Sequence, residues 1–241
     1  MPRHLVCLGF DLVAPSADDT PTADDISVAA ARVLDLLKDR GLASTWFVTA
    51  DGLARAGAIA ERLRRDDHEI ALSTSIVGDA AAAAQGLAAI RQVTGRNPRG
   101  FRAPGGDVAG WTPWLAQNGF LYDASPHGPS WWPRRRCAPA AGTTASDVIA
   151  MPIVLALGGD PPSPARAVMQ DWIDELLQMR DSVNFGVLTC AMPIAVVGRG
   201  AMLRAFATFL DTAQACGAVV VPFEAAAREA AERIGIYQDG I

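Results

Sequence analysis

The run His4-Leu-Val-Cys-Leu-Gly-Phe-Asp-Leu-Val-Ala-Pro-Ser16 places Leu5, Val6, Cys7, Leu8 and Phe10 ahead of its first charge, Asp11. An almost unbroken apolar run of this length marks a strand covered on both faces, as in a parallel sheet with helices packed around it. Asp11 then stands at the carboxyl end of that strand, where α/β folds gather their loops and bind ligands. A carboxylate there is a catalytic or binding group, or else a helix cap. The cap reading is the weaker one, because Pro15, Ser16 and a polar stretch to Asp25 follow in place of an apolar-periodic segment.

Working outward, strand and helix patterns alternate. Ile26, Ala30, Val33 and Leu37 recur at helical spacing, and Gly41 ends that helix. Residues 43–48 and 69–73 read as strands, with one helix at 54–65 between them. Asp79 opens an Ala-rich helix that runs to Gly95. Gly100 to Ala103 is a short strand, 111–118 a helix, and Phe120-Leu-Tyr122 is strand-like with Asp123 after it. From Pro126 to Ser146 the pattern dissolves into Pro, Gly, Ser and Arg, and the short basic run Arg134-Arg-Arg136 reads as a solvated loop. An extended segment at 148–154, a helix at 165–179, a strand at 185–190, a helix at 202–216, a strand at 218–221 and a helix at 223–234 complete the chain. Alternation of this kind implies parallel strands joined by right-handed crossovers. The expected fold is α/β, a distorted (β/α) barrel of about seven strands in a single domain over residues 1–241.

Composition narrows the function classes. The chain has 241 residues, 50% hydrophobic and 20% charged, with a formal net charge of -5. That suits one large core. It does not suit nucleic acid, since no long basic block is present. No apolar stretch is long enough to cross a bilayer, and Asp11 interrupts the first apolar run too early for a signal peptide, so the expected location is cytoplasmic. Cys7, Cys137, Cys190 and Cys216 are scattered without a CxxC and read as core thiols. The three histidines, His4, His68 and His127, lie far apart in sequence, so a His-rich zinc site has no local source of imidazoles. His68 reads as a surface or capping histidine.

Four stretches, in order, resemble the polysaccharide deacetylase family, the NodB homology domain of carbohydrate esterase family 4. The likeness is closest to the intracellular peptidoglycan-deacetylase-like and allantoinase-like branch. Gly9-Phe-Asp-Leu-Val-Ala14 resembles a Phe-Asp-x-Asp-Ala motif. His68-Glu-Ile-Ala-Leu-Ser-Thr-Ser-Ile-Val77 is similar to His-Glu-Ile-x-x-His-x-x-x-His. Gly100-Phe-Arg-Ala-Pro104 resembles the Arg-x-Pro motif, and Gly119-Phe-Leu-Tyr-Asp-Ala-Ser125 a Phe-x-Tyr-Asp-x-Ser segment. Leu188-Thr-Cys-Ala-Met-Pro193 looks like the segment that carries a late catalytic His-Pro. The resemblance spans nearly the whole chain and implies a NodB-like barrel with a cleft at its mouth.

In that family the first Asp is a general base acting on a water polarised by a divalent metal. Asp11 matches it. The metal ligands fall at Val13, Ser73 and Val77. Valine has no donor atom, and a neutral serine hydroxyl is a poor zinc ligand, so no metal and no cofactor is expected. The late histidine falls at Ala191 or Met192, neither of which carries a proton; Met192-Pro193 reads as core packing in the vacated volume. Metal binding lowers the pKa of water from ~16 to ~7, whereas base assistance alone contributes ~10²–10⁴-fold. Arg102 resembles the arginine that steadies the base. It would keep Asp11 ionised, or serve as a structural ion pair at the barrel mouth. Ser73 lacks a nearby base and is a poor nucleophile.

Two functions follow from the resemblance. One is metal-independent hydrolysis of a non-peptide C–N bond, amide or cyclic imide, with Asp11 and Arg102 as the catalytic residues. The other is a non-catalytic pseudoenzyme that binds a sugar, a ring-shaped ligand or a protein partner in the former cleft. Asp123, Trp131 and Trp132 are the expected substrate-binding residues, with the indole faces suited to flat rings and one tryptophan of the pair serving loop packing. The expected partner is a small molecule or carbohydrate, without nucleic acid or membrane; relatives in the branch form homo-oligomers.

Overall fold

A computed structural model of the chain describes residues 2–12, 22–74, 79–103, 109–125, 128–136, 148–158 and 164–238. The opening apolar run forms β1 (Arg3–Leu12), followed by α1 (Ala23–Lys38), β2 (Thr45–Val48), α2 (Ala50–Arg55), α3 (Ala58–Arg65), β3 (Glu69–Ser73) and α4 (Ala80–Thr94). Then come β4 (Gly100–Arg102), α5 (Thr112–Gln117), β5 (Tyr122–Asp123), β6 (Arg134–Arg135), β7 (Ile149–Ala150) and β8 (Leu155–Ala156). The chain continues with α6 (Ala165–Ser182), β9 (Phe185–Pro193), α7 (Ile194–Val197), α8 (Gly200–Ala215), β10 (Val219–Val220) and α9 (Phe223–Gln238).

The sheet runs β6-β7-β5-β4-β3-β2-β1-β9-β8, with β10 added to the lower half of β1. Every pairing is parallel except β6 with β7. One extended run closes the curl. Residues 148–157 begin on β5, where Ile149 N–H donates to Leu121 and Met151 N–H to Asp123. They end on β9, where Val154 N–H donates to Thr189 and Leu157 N–H to Ala191. Counting that run as one stave, the described residues build a wall of seven: β1 to β5, 148–157 and β9. This is the distorted NodB-like barrel that the sequence implied.

Strand alternation sorts the side chains into two cores. Val6, Leu8, Phe10 and Leu12 of β1 face outward to the helices, joining Val33, Leu34, Trp46, Leu72, Phe206 and Phe209. Leu5 and Cys7 face the lumen with Phe47, Ala71, Tyr122, Ile149 and Val187. Each such fully buried apolar side chain contributes roughly 1.5–3 kcal/mol. Cys7 and Cys190 are buried free thiols and Cys216 is half-buried; Cys137 lies outside the described residues. The floor of the barrel is closed by α9, whose Phe223, Ala226 and Ala227 enter the inner core.

Capping accounts for several element ends. The Asp79 side chain accepts the Ala82 N–H and starts α4, and Gly95 ends it in the left-handed conformation. Thr22 and Asp25 form a reciprocal capping box on α1. The single helix expected at 54–65 is two, split at Gly57, which has φ +46°. The expected solvated loop at Arg134-Arg-Arg136 is an edge strand plus an ion-paired arginine. Among the described residues no helix is long and apolar enough to cross a membrane.

Candidate functional site

Asp11, the penultimate residue of β1, is in register with Phe47 on one side and Pro193 on the other. Since Leu5 and Cys7 face the lumen and Phe10 and Leu12 face the helices, the Asp11 side chain turns into the barrel mouth. Arg102, one residue past the outward-facing Phe101, turns inward from β4. Its Nε donates to Asp11 Oδ1 at 3.0 Å and its Nη2 to Asp11 Oδ2 at 3.3 Å. Nη1 donates to the Ala124 carbonyl at 3.3 Å, and the guanidinium lies 5.7 Å from the centre of the Phe47 ring. The side chains are 5% and 13% exposed for Arg102 and Asp11. The arginine thus reaches across the lumen over Phe47 and grips both oxygens of the carboxylate. This is the one pair of expected site residues that the fold brings together.

Ser73 shares the inner face with Glu69 and Ala71, beside Arg102 in register. It is buried, and its hydroxyl has no hydrogen-bond partner; the Thr74 hydroxyl is in the same position. Of the two candidates for the late histidine, Ala191 belongs to the inner core and Met192 to the outer one. The lumen position beside Gly9 therefore holds a methyl group. Val13 and Val77 lie outside the described residues.

The divalent metal that the resemblance implies does not fit the groups described here. One candidate donor, Asp11, is already held by a guanidinium on both oxygens. The next, Ser73, is a neutral hydroxyl. Among the described residues no three His, Cys, Asp or Glu side chains group to hold a metal ion.

The remaining expected site residues lie elsewhere. Asp123 sits between the lumen-facing Tyr122 and Ala124, so it points to the opposite side of the wall and is fully buried. Its Oδ1 accepts the Ser125 N–H at 2.8 Å and its Oδ2 an arginine N–H of Arg136. Trp131 is held beside the lower part of β9: its carbonyl accepts the Val187 N–H, and its Nε1 donates to Glu175 on α6 at 2.7 Å. Val187 precedes Pro193 by six residues, about 20 Å at roughly 3.3 Å per residue, so Trp131 is far from the Asp11 mouth. Trp132, next to it, is 48% exposed.

Two buried polar residues escaped the sequence reading. Glu69, buried at the base of β3, accepts from Thr45 Oγ1 at 2.6 Å, Tyr122 Oη at 2.8 Å and the Glu224 backbone N–H at 2.9 Å. Burial pushes its carboxyl above the ordinary glutamate range, against the pull of those three bonds. Period-two alternation over 69–73 was the available signal. His68 is buried, not a surface residue. Its Nδ1 meets the Ser44 N–H at 3.1 Å and the Ser44 hydroxyl at 3.0 Å, and burial lowers its pKa to about 4. The hydroxyl is itself bonded by Trp46 Nε1 at 3.0 Å. No local pattern predicts a partner 24 positions away.

No family model matches the sequence, and no curated protein does. Solved structures do. An assigned polysaccharide deacetylase from Mycobacterium smegmatis is 22% identical with a TM-score of 0.78, over 96% of this chain and 91% of that one. The PuuE allantoinase is 16% identical with a TM-score of 0.74, over 94% and 90%. A pseudoenzyme of carbohydrate esterase family 4 from Bacillus anthracis is 12% identical with a TM-score of 0.54, over 92% and 64%; a mutant of it with restored enzymatic activity scores 0.55. Seven staves, an acid at the mouth and these neighbours together identify the chain's fold as that of the polysaccharide deacetylases, the NodB fold of carbohydrate esterase family 4.

Proposed function

We propose that the chain is a non-catalytic protein of this fold that binds a sugar or ring-shaped ligand in the cleft above Asp11 and Arg102. The observation that carries this reading is the two-pronged grip of Arg102 on Asp11. A carboxylate with both oxygens engaged by one guanidinium is a good fixed charge and a weak proton acceptor. Ser73 and Ala191, at positions where the family places imidazoles, supply neither Lewis acid ligand nor proton donor. General-base help alone, ~10²–10⁴-fold, leaves an unactivated amide essentially intact.

A second reading rests on the retention of Asp11 itself in the mouth: metal-independent hydrolysis of an amide or cyclic imide, with Asp11 as base and Arg102 orienting it. One experiment separates the two. Titration calorimetry with N-acetylglucosamine and with succinimide is run beside turnover assays on succinimide and on p-nitroacetanilide, with and without added zinc or cobalt. Saturable binding with no turnover, and no gain from metal, is expected. Turnover that disappears in Asp11→Asn would replace the binding reading with the hydrolytic one.

A further inference from the structure

At the opposite end of the barrel, where α3 and α4 finish and α9 begins, a cleft of about 90 Å³ is lined by Arg64, His68, Arg96 and Arg99. At roughly 10–15 Å³ per water it takes a handful of waters or one small ion, and it is far below the ~300 Å³ of an ordinary organic-ligand pocket. We propose that this cleft is a binding site for a tetrahedral oxyanion of the phosphate class, held by the three arginines and the His68 ring.

The argument rests on donors left unused. Among the described residues none of the three guanidiniums makes an ion pair or donates a hydrogen bond, and Arg99 Nε is buried with no partner. The plain alternative is that these arginines serve the carbonyl ends of α3 and α4, which favour cations. Those ends are already served. Gly95 N–H donates to Arg91, Asp66 N–H to Arg62 and His68 N–H to Leu63, while the Thr94 hydroxyl donates to Ile90. Buried donors are nearly always satisfied, so the enclosed Arg99 Nε is the unusual group here, and the exposed Arg64 and Arg96 add two unpaired positive charges beside it.

His68 adds a neutral donor. The Ser44 N–H points at Nδ1, so Nδ1 is the acceptor nitrogen and the proton sits on Nε2. Nε2 has no partner within the described protein, and the ring lines the cleft. The acids there do not cancel this charge. The carboxylate of Glu69 accepts three hydrogen bonds, and Glu224 accepts from Arg228 at 2.6 Å. With Glu224 paired to Arg228, Glu69 and Asp67 stand against three guanidiniums, which leaves one net positive charge around the cleft.

Inorganic phosphate is titrated into the intact protein at constant ionic strength, read by calorimetry and by the melting temperature. Saturable binding is expected, weakened at least tenfold in Arg96→Gln/Arg99→Gln and tightened severalfold in Asp67→Asn. Glycerol 3-phosphate, run in parallel, tells a free ion from a phosphate monoester: weaker binding of the ester means the ion, equal or tighter binding the monoester. If the double variant does not fold, Arg96→Gln alone, at an exposed position, carries the test. A response that does not saturate, or an affinity unchanged by the arginine substitutions, overturns the proposal.

Discussion

Asp11→Asn keeps the shape of the side chain and removes its charge. Arg102 then keeps a guanidinium at 5% exposure with a neutral amide oxygen, the Ala124 carbonyl and the Phe47 ring for company, and no counter-charge. Removing one partner of a buried ion pair costs about 3–5 kcal/mol, because the other charge stays behind unpaired. Asp11, at 13%, is at the wetter end of the pair, so the low end of that range applies, about 3 kcal/mol. At roughly 2–4 °C per kcal/mol for a chain of this size, the melting temperature falls by about 6–12 °C. Urea unfolding followed by circular dichroism measures the free-energy loss and a thermal melt the temperature shift, with Arg102→Met and the double variant completing a cycle. The double variant should recover much of the loss, since no orphaned charge remains. A cost below about 1 kcal/mol for Asp11→Asn would mark an exposed pair. The carboxylate would then not be locked, and the case against base catalysis would fall with it.

Three further outcomes are expected. Gly100→Ala destabilises by about 3 kcal/mol in urea unfolding, because its Cβ would fall 2.0 Å from the buried Tyr122 hydroxyl that bonds Glu69. The His68 ring, held at about pKa 4 against an ordinary 6.5, takes up its proton in the unfolded chain first. Stability is therefore present above pH 6.5 and lost as pH falls toward 4, about 2 kcal/mol between pH 8 and pH 5 at ~1.36 kcal/mol per unit. A His68→Asn variant should flatten that slope. Restoring donors with Val13→Asp, Ser73→His and Val77→His should confer zinc binding measurable by equilibrium dialysis; no gain would mean that more than the ligands has diverged.

The parts of the molecule legible in sequence were those set by short-range pattern. The apolar run Leu5–Phe10 announced a strand covered on both sides, and Asp79 and Gly95 marked the ends of α4 by their capping chemistry. The Asp11–Arg102 pair came from motif likeness, 91 positions apart, and no periodicity would have found it. What stayed hidden depended on register around the barrel. Arg136 looked like loop charge until β6 paired with β7 and brought it to Asp123. Trp131 looked like a groove residue, although its backbone is bound to Val187 at the other end of β9. Gly57 broke a helix that the apolar spacing of Ile59 and Leu63 had seemed to extend backward.

The order of synthesis gives α9 a particular burden. It follows every strand whose lumen it seals, so Leu5, Cys7 and the carboxyl of Glu69 gain their full cover only when this last element docks. Until Glu224 offers its backbone N–H, Glu69 lacks one of its three donors and water has access to the inner wall. A chain cut short before Phe223 is accordingly expected to lack the seal of its inner wall, and the last element acts as a stopper rather than as a stave.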